Sequence, residues 1–288
     1  MALAIRLERA AAAGAVEQAE TMARVWPESG AATIGIADGV AVFTGPKMFA
    51  NHAGGIGLET AVTARDLTKL EQFYAGVDMA ASLQITSYAS DAFLGLLAKR
   101  GYVVDGFRSN YVRNVMRLPS RRDGIEVVRV TRDLDATWGT AITVGFGSPP
   151  GVTKRWNAMI CAIENEHRFI AYVDGVPAGV GSLLTTDPGL AQFGGMTTVP
   201  AYRNRGVQAA LLHARLAHAR RLGCTLAMVS AISGNGSCRN IERAGFRFAH
   251  TAAIMTARKV GLDGHTLGRP PMRHDNAIPG GPGEGFRR

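Results

Sequence analysis

The residues whose types and order promise chemistry lie in one stretch, Tyr202-Arg203-Asn204-Arg205-Gly206-Val207-Gln208. Two guanidinium groups lead into a glycine, and a helical pattern follows. A helix starting there leaves its first N–H groups without acceptors. Those groups and the positive end of the helix dipole make a place for an anion. Gly206 has no Cβ to hold a phosphate off the main chain, and Arg203 and Arg205 can add charge-assisted hydrogen bonds. The stretch therefore reads as a phosphate cradle. It is no nucleotide loop, because the Gly-Lys-Ser/Thr ending is absent, and Gly54-Gly55-Ile56-Gly57 lacks the third glycine of a dinucleotide fingerprint.

The elements that must position this cradle follow from periodicity and turn chemistry. Residues 125–130 alternate as a strand. Residues 134–146 and 154–165 read as helices, with Ser148-Pro149-Pro150-Gly151 as the break. Residues 167–173 and 176–184 form a hairpin, and 190–199 a strand carrying Gly194-Gly195 and ended by Pro200. Residues 206–222 are an amphipathic helix. A strand over 225–230, a helix over 237–244 and a strand over 246–257 complete the set. Earlier in the chain, 55–62 and 81–88 read as strands, and 65–75 and 91–100 as helices.

Two landmarks occur twice in the same order. Asp38-Gly39 and Asp174-Gly175 each separate two apolar runs as a hairpin turn would, 136 residues apart (175 − 39). Gly101-Tyr102 and Gly245-Phe246 each follow a helical pattern as a glycine cap opening a strand, 144 apart (245 − 101). The chain thus divides into a first unit over 1–120, a second over 121–258 and a tail over 259–288 rich in Gly, Pro and Arg, to which no secondary structure is assigned.

The 288 residues suffice for two such units. The composition, 47% apolar and 19% charged, is globular. No apolar run reaches the roughly 20 residues that span a bilayer, and Arg6, Glu8 and Arg9 break up the start, which excludes a secretory signal. Cys161, Cys224 and Cys238 are too scattered for a disulfide framework or a zinc site, so a reducing cytoplasm is expected. The net charge of +9 is that of a basic soluble protein, or of one with a polyanionic small-molecule ligand such as coenzyme A.

The run Thr198-Val199-Pro200-Ala201-Tyr202-Arg203-Asn204-Arg205-Gly206-Val207-Gln208-Ala209-Ala210 resembles motif A of the GNAT superfamily of acyl-CoA N-acyltransferases. Arg203 and Gly206 match it, and Gln208 stands where a small residue is usual. Ser237-Cys238-Arg239-Asn240-Ile241-Glu242-Arg243-Ala244-Gly245-Phe246 resembles motif B. The resemblance covers about 125–257 and implies an α+β fold, a mixed, mostly antiparallel sheet flanked by helices, present here as two tandem units. The first is degenerate, because Ala64-Arg65-Asp66-Leu67-Thr68 offers an acid and no glycine where a phosphate would dock.

The resemblance further implies acetyl-CoA or another acyl-CoA as cosubstrate, no metal, and a small-molecule or peptide amine as acceptor. Main chain at Thr198 or Val199 would bind the thioester carbonyl. Arg203, Asn204, Arg205, Gly206, Val207, Gln208, Ala209 and Asn240 would hold the cofactor, with Arg239 beside them. A base must take a proton from the amine. Residues 190–199 hold no acid, so Glu164, Glu166 and Asp187 are the candidates. The tyrosine with which many members protonate the departing thiolate is Ile241 here, leaving Ser237 and Cys238 as alternatives. His213 and His218 read as surface residues of the long helix, and Trp138 and Trp156 as core or as acceptor-pocket walls. The alternative function is an acyl-CoA-binding or sensor protein without catalysis. Nucleic-acid binding has no aromatic interleaving to support it. A first unit standing in for a dimer mate is one expectation, and monomer and homodimer are both open.

Overall fold

The computed structural model describes residues 1–48, 50–120, 124–147 and 150–258, the side chains of 150–152 apart. The expectations for Ser148-Pro149 and for the tail over 259–288 lie outside them.

The first element, α1 (Ala2–Val25), was not among the expected ones. Its alanine-rich sequence lacks proline and any β-branched run, which favours helix. It buries Ala4, Leu7, Glu8, Ala10, Gly14, Ala19 and Met22, a stripe at three- and four-residue spacing. Then come β1 (Ala32–Ile36), β2 (Gly39–Phe43), β3 (Ala53–Gly54), α2 (Ala64–Ala75), β4 (Ser82–Thr86), α3 (Asp91–Lys99) and the long β5 (Tyr102–Asn114). The second half runs β6 (Glu126–Arg129), α4 (Asp135–Phe146), α5 (Pro150–Ala162), β7 (Glu166–Val173), β8 (Val176–Asp187), β9 (Leu190–Thr198), α6 (Val207–Arg221), β10 (Leu226–Ile232), α7 (Gly236–Arg243) and β11 (Arg247–Ala257).

Among the described residues eleven strands join one sheet, in the order β1-β2-β3-β4-β11-β5-β10-β9-β8-β7-β6. Parallel pairing occurs at two equivalent places, β3 with β4 and β9 with β10. Each crossover carries a helix, α2 in one half and α6 in the other, as a parallel pair requires. The two halves exchange their last strands. β11 from the second half lies between β4 and β5, and β5 from the first half lies between β11 and β10. Residues 1–257 accordingly form one compact unit, whatever the repeat in the chain.

Strand alternation assigns the two faces. On β7, Phe169 and Ala171 meet α6 through Leu211, Leu212 and Leu216, while Ile170 meets α4 and α5 through Trp138, Ile142 and Met159. Trp138 is fully buried, with the Arg168 guanidinium 5.7 Å from its ring. It is core, and Trp156 packs half-buried at the edge of the same cluster. Trp138→Ala is expected to cost about 3–5 kcal/mol of stability, read as a lower denaturant midpoint at unchanged slope. A loss under about 1 kcal/mol would contradict this packing.

Two expectations for the first half need correction. Residues 55–62 are not a strand, because pairing ends with Ala53–Gly54. Gly55 (φ 71°) and Gly57 (φ 70°) turn the chain out of the extended region. The first hairpin also turns one residue early, on Ala37-Asp38, with Gly39 already paired to Ile36. A side chain on Gly39 would collide with the backbone of Gly54 and Gly55. In the second half the turn is Asp174-Gly175, with both φ positive (50° and 74°), as a primed two-residue turn requires. The other repeated landmark holds in both copies: Gly101 (φ 71°) and Gly245 (φ 79°) are left-handed residues just past α3 and α7.

Candidate functional site

β9 and β10 run together from Leu190–Leu226 to Phe193–Val229 and then part. Beyond that point Ser230, Ala231 and Ile232 pair only with β5, and Thr197 and Thr198 only with β8. The opening is a wedge. Its cause lies in β9: Val180 pairs with Thr197 and Ser182 with Gly194, so β9 spends one more residue than β8 over the same span. That is a β-bulge, and Gly195 takes a left-handed φ of 53° within it.

The bulge and the strand register decide which amide faces the wedge. The Val199 N–H donates to Ala178 O at 2.9 Å. In an antiparallel ladder the neighbouring residue then points its N–H the other way. Thr198 therefore presents its N–H toward the wedge. Val199, named with it from the sequence, has spent its own.

Past Val199 a 3-10 turn, Pro200–Tyr202, leads to Asn204 (φ 62°) and Gly206 (φ 85°), and α6 begins at Val207. No side chain caps α6, and Ala210 donates to Gly206 O at 3.1 Å. The N–H groups of Val207, Gln208 and Ala209 precede that bond and have no acceptor within a helix. Arg203, Asn204 and Arg205 are exposed above them, and Gln208 is half-buried. Arg205 lies 5.4 Å from the Tyr202 ring and 3.6 Å from Asp174. The helix start is pressed onto the sheet by Gly179. A Cβ there would stand 2.7 Å from Val207 Cγ1 and 2.9 Å from Thr197 O.

The first half treats the same region differently. Asp38 accepts from the N–H groups of Gly57 and Glu59, both at 2.7 Å, and of Thr60 at 3.3 Å. Burial opposes its charge, but those bonds hold its carboxyl below the usual range. At the start of α2, Asp66 accepts from the Thr63 N–H at 2.9 Å, and Thr63 Oγ1 accepts from the Asp66 N–H at 3.3 Å. That is a capping box. The chain's own side chains thus take N–H groups of the loop before α2 and of its first turn, where α6 has no side-chain cap.

The structure separates the candidate acids. Glu164 is exposed, and Asp187 is paired with Arg6 at 2.5 Å. Glu166 is half-buried, bonded to Ser182 and pushed up to about 7, chiefly by burial. On α7, Ser237 is exposed, while Cys238 is buried with its Sγ 3.4 Å from Ile232 O. Asn235 Oδ1 caps the helix by accepting from the N–H groups of both. Arg239 and Asn240 are exposed and Ile241 is buried.

Sequence reasoning missed Tyr111. It is opposite Val229, the last β10 residue before the wedge, and belongs to the strand supplied by the first half. Its hydroxyl donates to Glu242 Oε1 at 3.2 Å and is bonded to Cys238, and burial raises its pKa to about 12. No local spacing could announce it, because 131 residues separate Tyr111 from Glu242.

The reading of His218 as a surface residue is overturned. It is buried, with its ring 4.6 Å from that of His167 and 5.5 Å from that of Phe169, and burial lowers its pKa to about 4. The face of α6 that carries it packs on β7. His213 is half-buried, with Nδ1 2.7 Å from Pro119 O. An open groove of about 580 Å³ runs between α4 and α5, lined among others by Asp135, Thr143, Lys154, Asn157 and Cys161.

Known proteins share this fold. Residues 136–246 match the model of the acetyltransferase (GNAT) family. A GCN5-related N-acetyltransferase from Kribbella flavida superposes with a TM-score of 0.63 at 17% identity, over 88% of this chain and 97% of its own. A functionally unknown conserved protein from Staphylococcus epidermidis gives 0.58 at 14%, over 80% and 95%. A tandem GNAT protein from the clavulanic acid biosynthesis pathway gives 0.53 at 15%, over 67% and 68%. No curated protein matches the sequence significantly. Among the described residues, no helix is long and apolar enough to cross a membrane. Residues 136–246 are thus a domain of the acetyltransferase (GNAT) family, set in a mixed, mostly antiparallel sheet with the fold of GNAT proteins, tandem ones among them.

Proposed function

We propose that the chain transfers an acetyl or other acyl group from acyl-CoA to a primary amine, using the wedge between β9 and β10. The observation that carries this reading is the free Thr198 N–H at the wedge, beside an uncapped α6 under two exposed arginines. The pyrophosphate would take the N–H groups of Val207, Gln208 and Ala209, with Arg203 and Arg205 reaching over it. The pantetheine arm would enter the wedge and set the thioester carbonyl on Thr198 N–H, where charge develops as the amine attacks. The first half would hold no acyl-CoA, since Asp38 and Asp66 occupy its amides. The thiolate leaves beside α7. Ile241 has no hydroxyl for it, and the one at hand is that of Tyr111, next to Cys238. Asn240 and Arg239 remain exposed contacts for the arm.

Incubation with acetyl-CoA and a panel of primary amines, followed by free thiol, tests the reading. Amine-dependent release is expected. Tight acetyl-CoA binding with no release above hydrolysis would favour a binding or sensor protein, the reading suggested by the missing tyrosine and the missing acid on β9. Tyr111→Phe is expected to lower kcat with acetyl-CoA affinity kept. An unchanged kcat would remove Tyr111 from the site.

A further inference from the structure

β9 offers no acid to the acceptor amine, and at the bulge it offers no side chain at all, because Gly194 and Gly195 occupy it. What fills that place comes from the neighbouring strands. Ser182, opposite Gly194 on β8, is buried with its Oγ 3.0 Å from where a Cβ on Gly195 would stand. Behind Ser182, Glu166 reaches over from β7, which pairs with β8 at Glu166–Leu184, and bonds the Ser182 hydroxyl. Gly194 itself is exposed, so the bulge meets solvent next to Ser182.

Arg215 holds the bulge from the opposite face. It is 1% exposed, unusual for an arginine. Its guanidinium donates to Ser182 O at 3.1 Å and Gly194 O at 3.4 Å, with Met196 Sδ at 2.6 Å. It lies 3.2 Å from where a Cβ on Gly181 would be, so a side chain there would crowd it.

We propose that Glu166, acting through the Ser182 hydroxyl, draws the proton from the acceptor amine at the β9 bulge. The inference rests on the acyl-transfer reading above. The amine gives a proton to Ser182 Oγ as the Ser182 proton passes to the Glu166 carboxylate. The freed lone pair attacks the thioester carbon, the C–S bond breaks, the coenzyme A thiolate takes up the second nitrogen proton and leaves as the thiol, and Glu166 returns its proton to solvent. Ser182 on β8 and Arg168 on its own strand act directly on Glu166, and Arg215 on α6 adds its charge from the opposite face. Arg168 is tied to Asp135 on α4 at 2.5 Å and to Cys161 on α5 at 3.1 Å. Burial keeps the carboxyl near neutrality, where a base is most effective.

The test uses the full chain, acetyl-CoA and the most reactive amine of the panel, with acetyl-CoA affinity measured by calorimetry beside the rate. Glu166→Gln is nearly isosteric. It is expected to bind acetyl-CoA as the wild type does and to transfer at least about 100-fold more slowly. The rise of kcat with pH through about 7 should vanish in it. Ser182→Ala should slow transfer and move that rise to higher pH, because the bond that favours the carboxylate is gone. Glu164→Gln, on an exposed acid, should change neither rate nor profile. A Glu166→Gln protein within threefold of wild type, or one that keeps the wild-type pH limb, overturns the proposal. A wild type that binds acetyl-CoA but frees no thiol with any amine also overturns it and leaves the cradle standing. A wild type that does not bind acetyl-CoA overturns the functional reading itself.

Discussion

Expressed as separate chains, residues 1–120 and 121–258 are expected not to fold as cooperative monomers, and to regain the intact protein's melting transition when mixed. The cause is the exchange at the centre of the sheet. β5 has β11 on one side and β10 on the other, and both belong to the second fragment. β11 has β4 and β5 as its neighbours, and both belong to the first. Each fragment would therefore carry a last strand of eleven or thirteen residues without any partner, a long open edge of the kind that drives association. The first helix adds to the dependence. Leu7 and Ala10 of α1 pack with Leu190 and Met228 of the second half, and Arg6 pairs with Asp187. Between α1 and the sheet, buried Glu8 bonds His250 Nε2 at 2.6 Å, and Asn110 lies 3.1 Å from the same nitrogen. Circular dichroism and sizing of each fragment alone and of their mixture read the outcome. Two separately folded, cooperatively melting monomers would contradict the exchange.

Reversing the charge above α6 is expected to have the second large effect, this time on binding. Arg205→Glu should weaken acetyl-CoA binding by roughly ten- to a hundredfold, the equivalent of a charged hydrogen bond worth about 1.5–3 kcal/mol. Repulsion between the new carboxylate and the pyrophosphate adds to the loss. Arg203→Glu should act alike, since both side chains are exposed just before the same uncapped helix start. The remaining affinity should depend less on salt, because a phosphate contact has gone. Thermal stability should hardly change, as the Arg205–Asp174 pair is exposed and such pairs contribute little. Calorimetric affinity equal to wild type in both variants would remove the cradle from the account.

Much of this was legible in the sequence where chemistry is local. The left-handed Gly206, the caps at Gly101 and Gly245 and the Asp174-Gly175 turn each need a particular residue at a particular backbone angle, so the residue names the angle. The second-half strands and helices came within a few residues for the same reason, through periodicity. Asp66 at the start of α2 was legible as an acid at a helix start, and in the structure it forms the capping box with Thr63. The filling of 57–60 by Asp38 did not show, because that carboxylate arrives from the preceding hairpin.

What escaped is what tertiary structure alone brings together. The pairing of β5 with β10 and β11 is set by sheet order, which no stretch of sequence encodes, and Tyr111 was invisible with it. The Glu166–Ser182 pair lies across two strands, so Glu166 could be named only as one of three acids. His218 reads as a surface residue on a basic helix, and its burial depends on the edge strand that happens to lie beneath it. Gly194-Gly195 shows in the sequence only as a glycine pair within a strand, and the register across from Val180 and Ser182 is what reveals the bulge.

The central claim is that acyl-CoA occupies the β9–β10 wedge of the second half and not the matching region of the first. Amide hydrogen exchange of the intact chain, with and without saturating acetyl-CoA, tests it most directly. The account predicts slowed exchange at Thr198 and at Val207, Gln208 and Ala209, with no change at Gly57, Glu59 and Thr60. Protection confined to the first half, or no protection at Thr198 and Val207 at saturation, would contradict it.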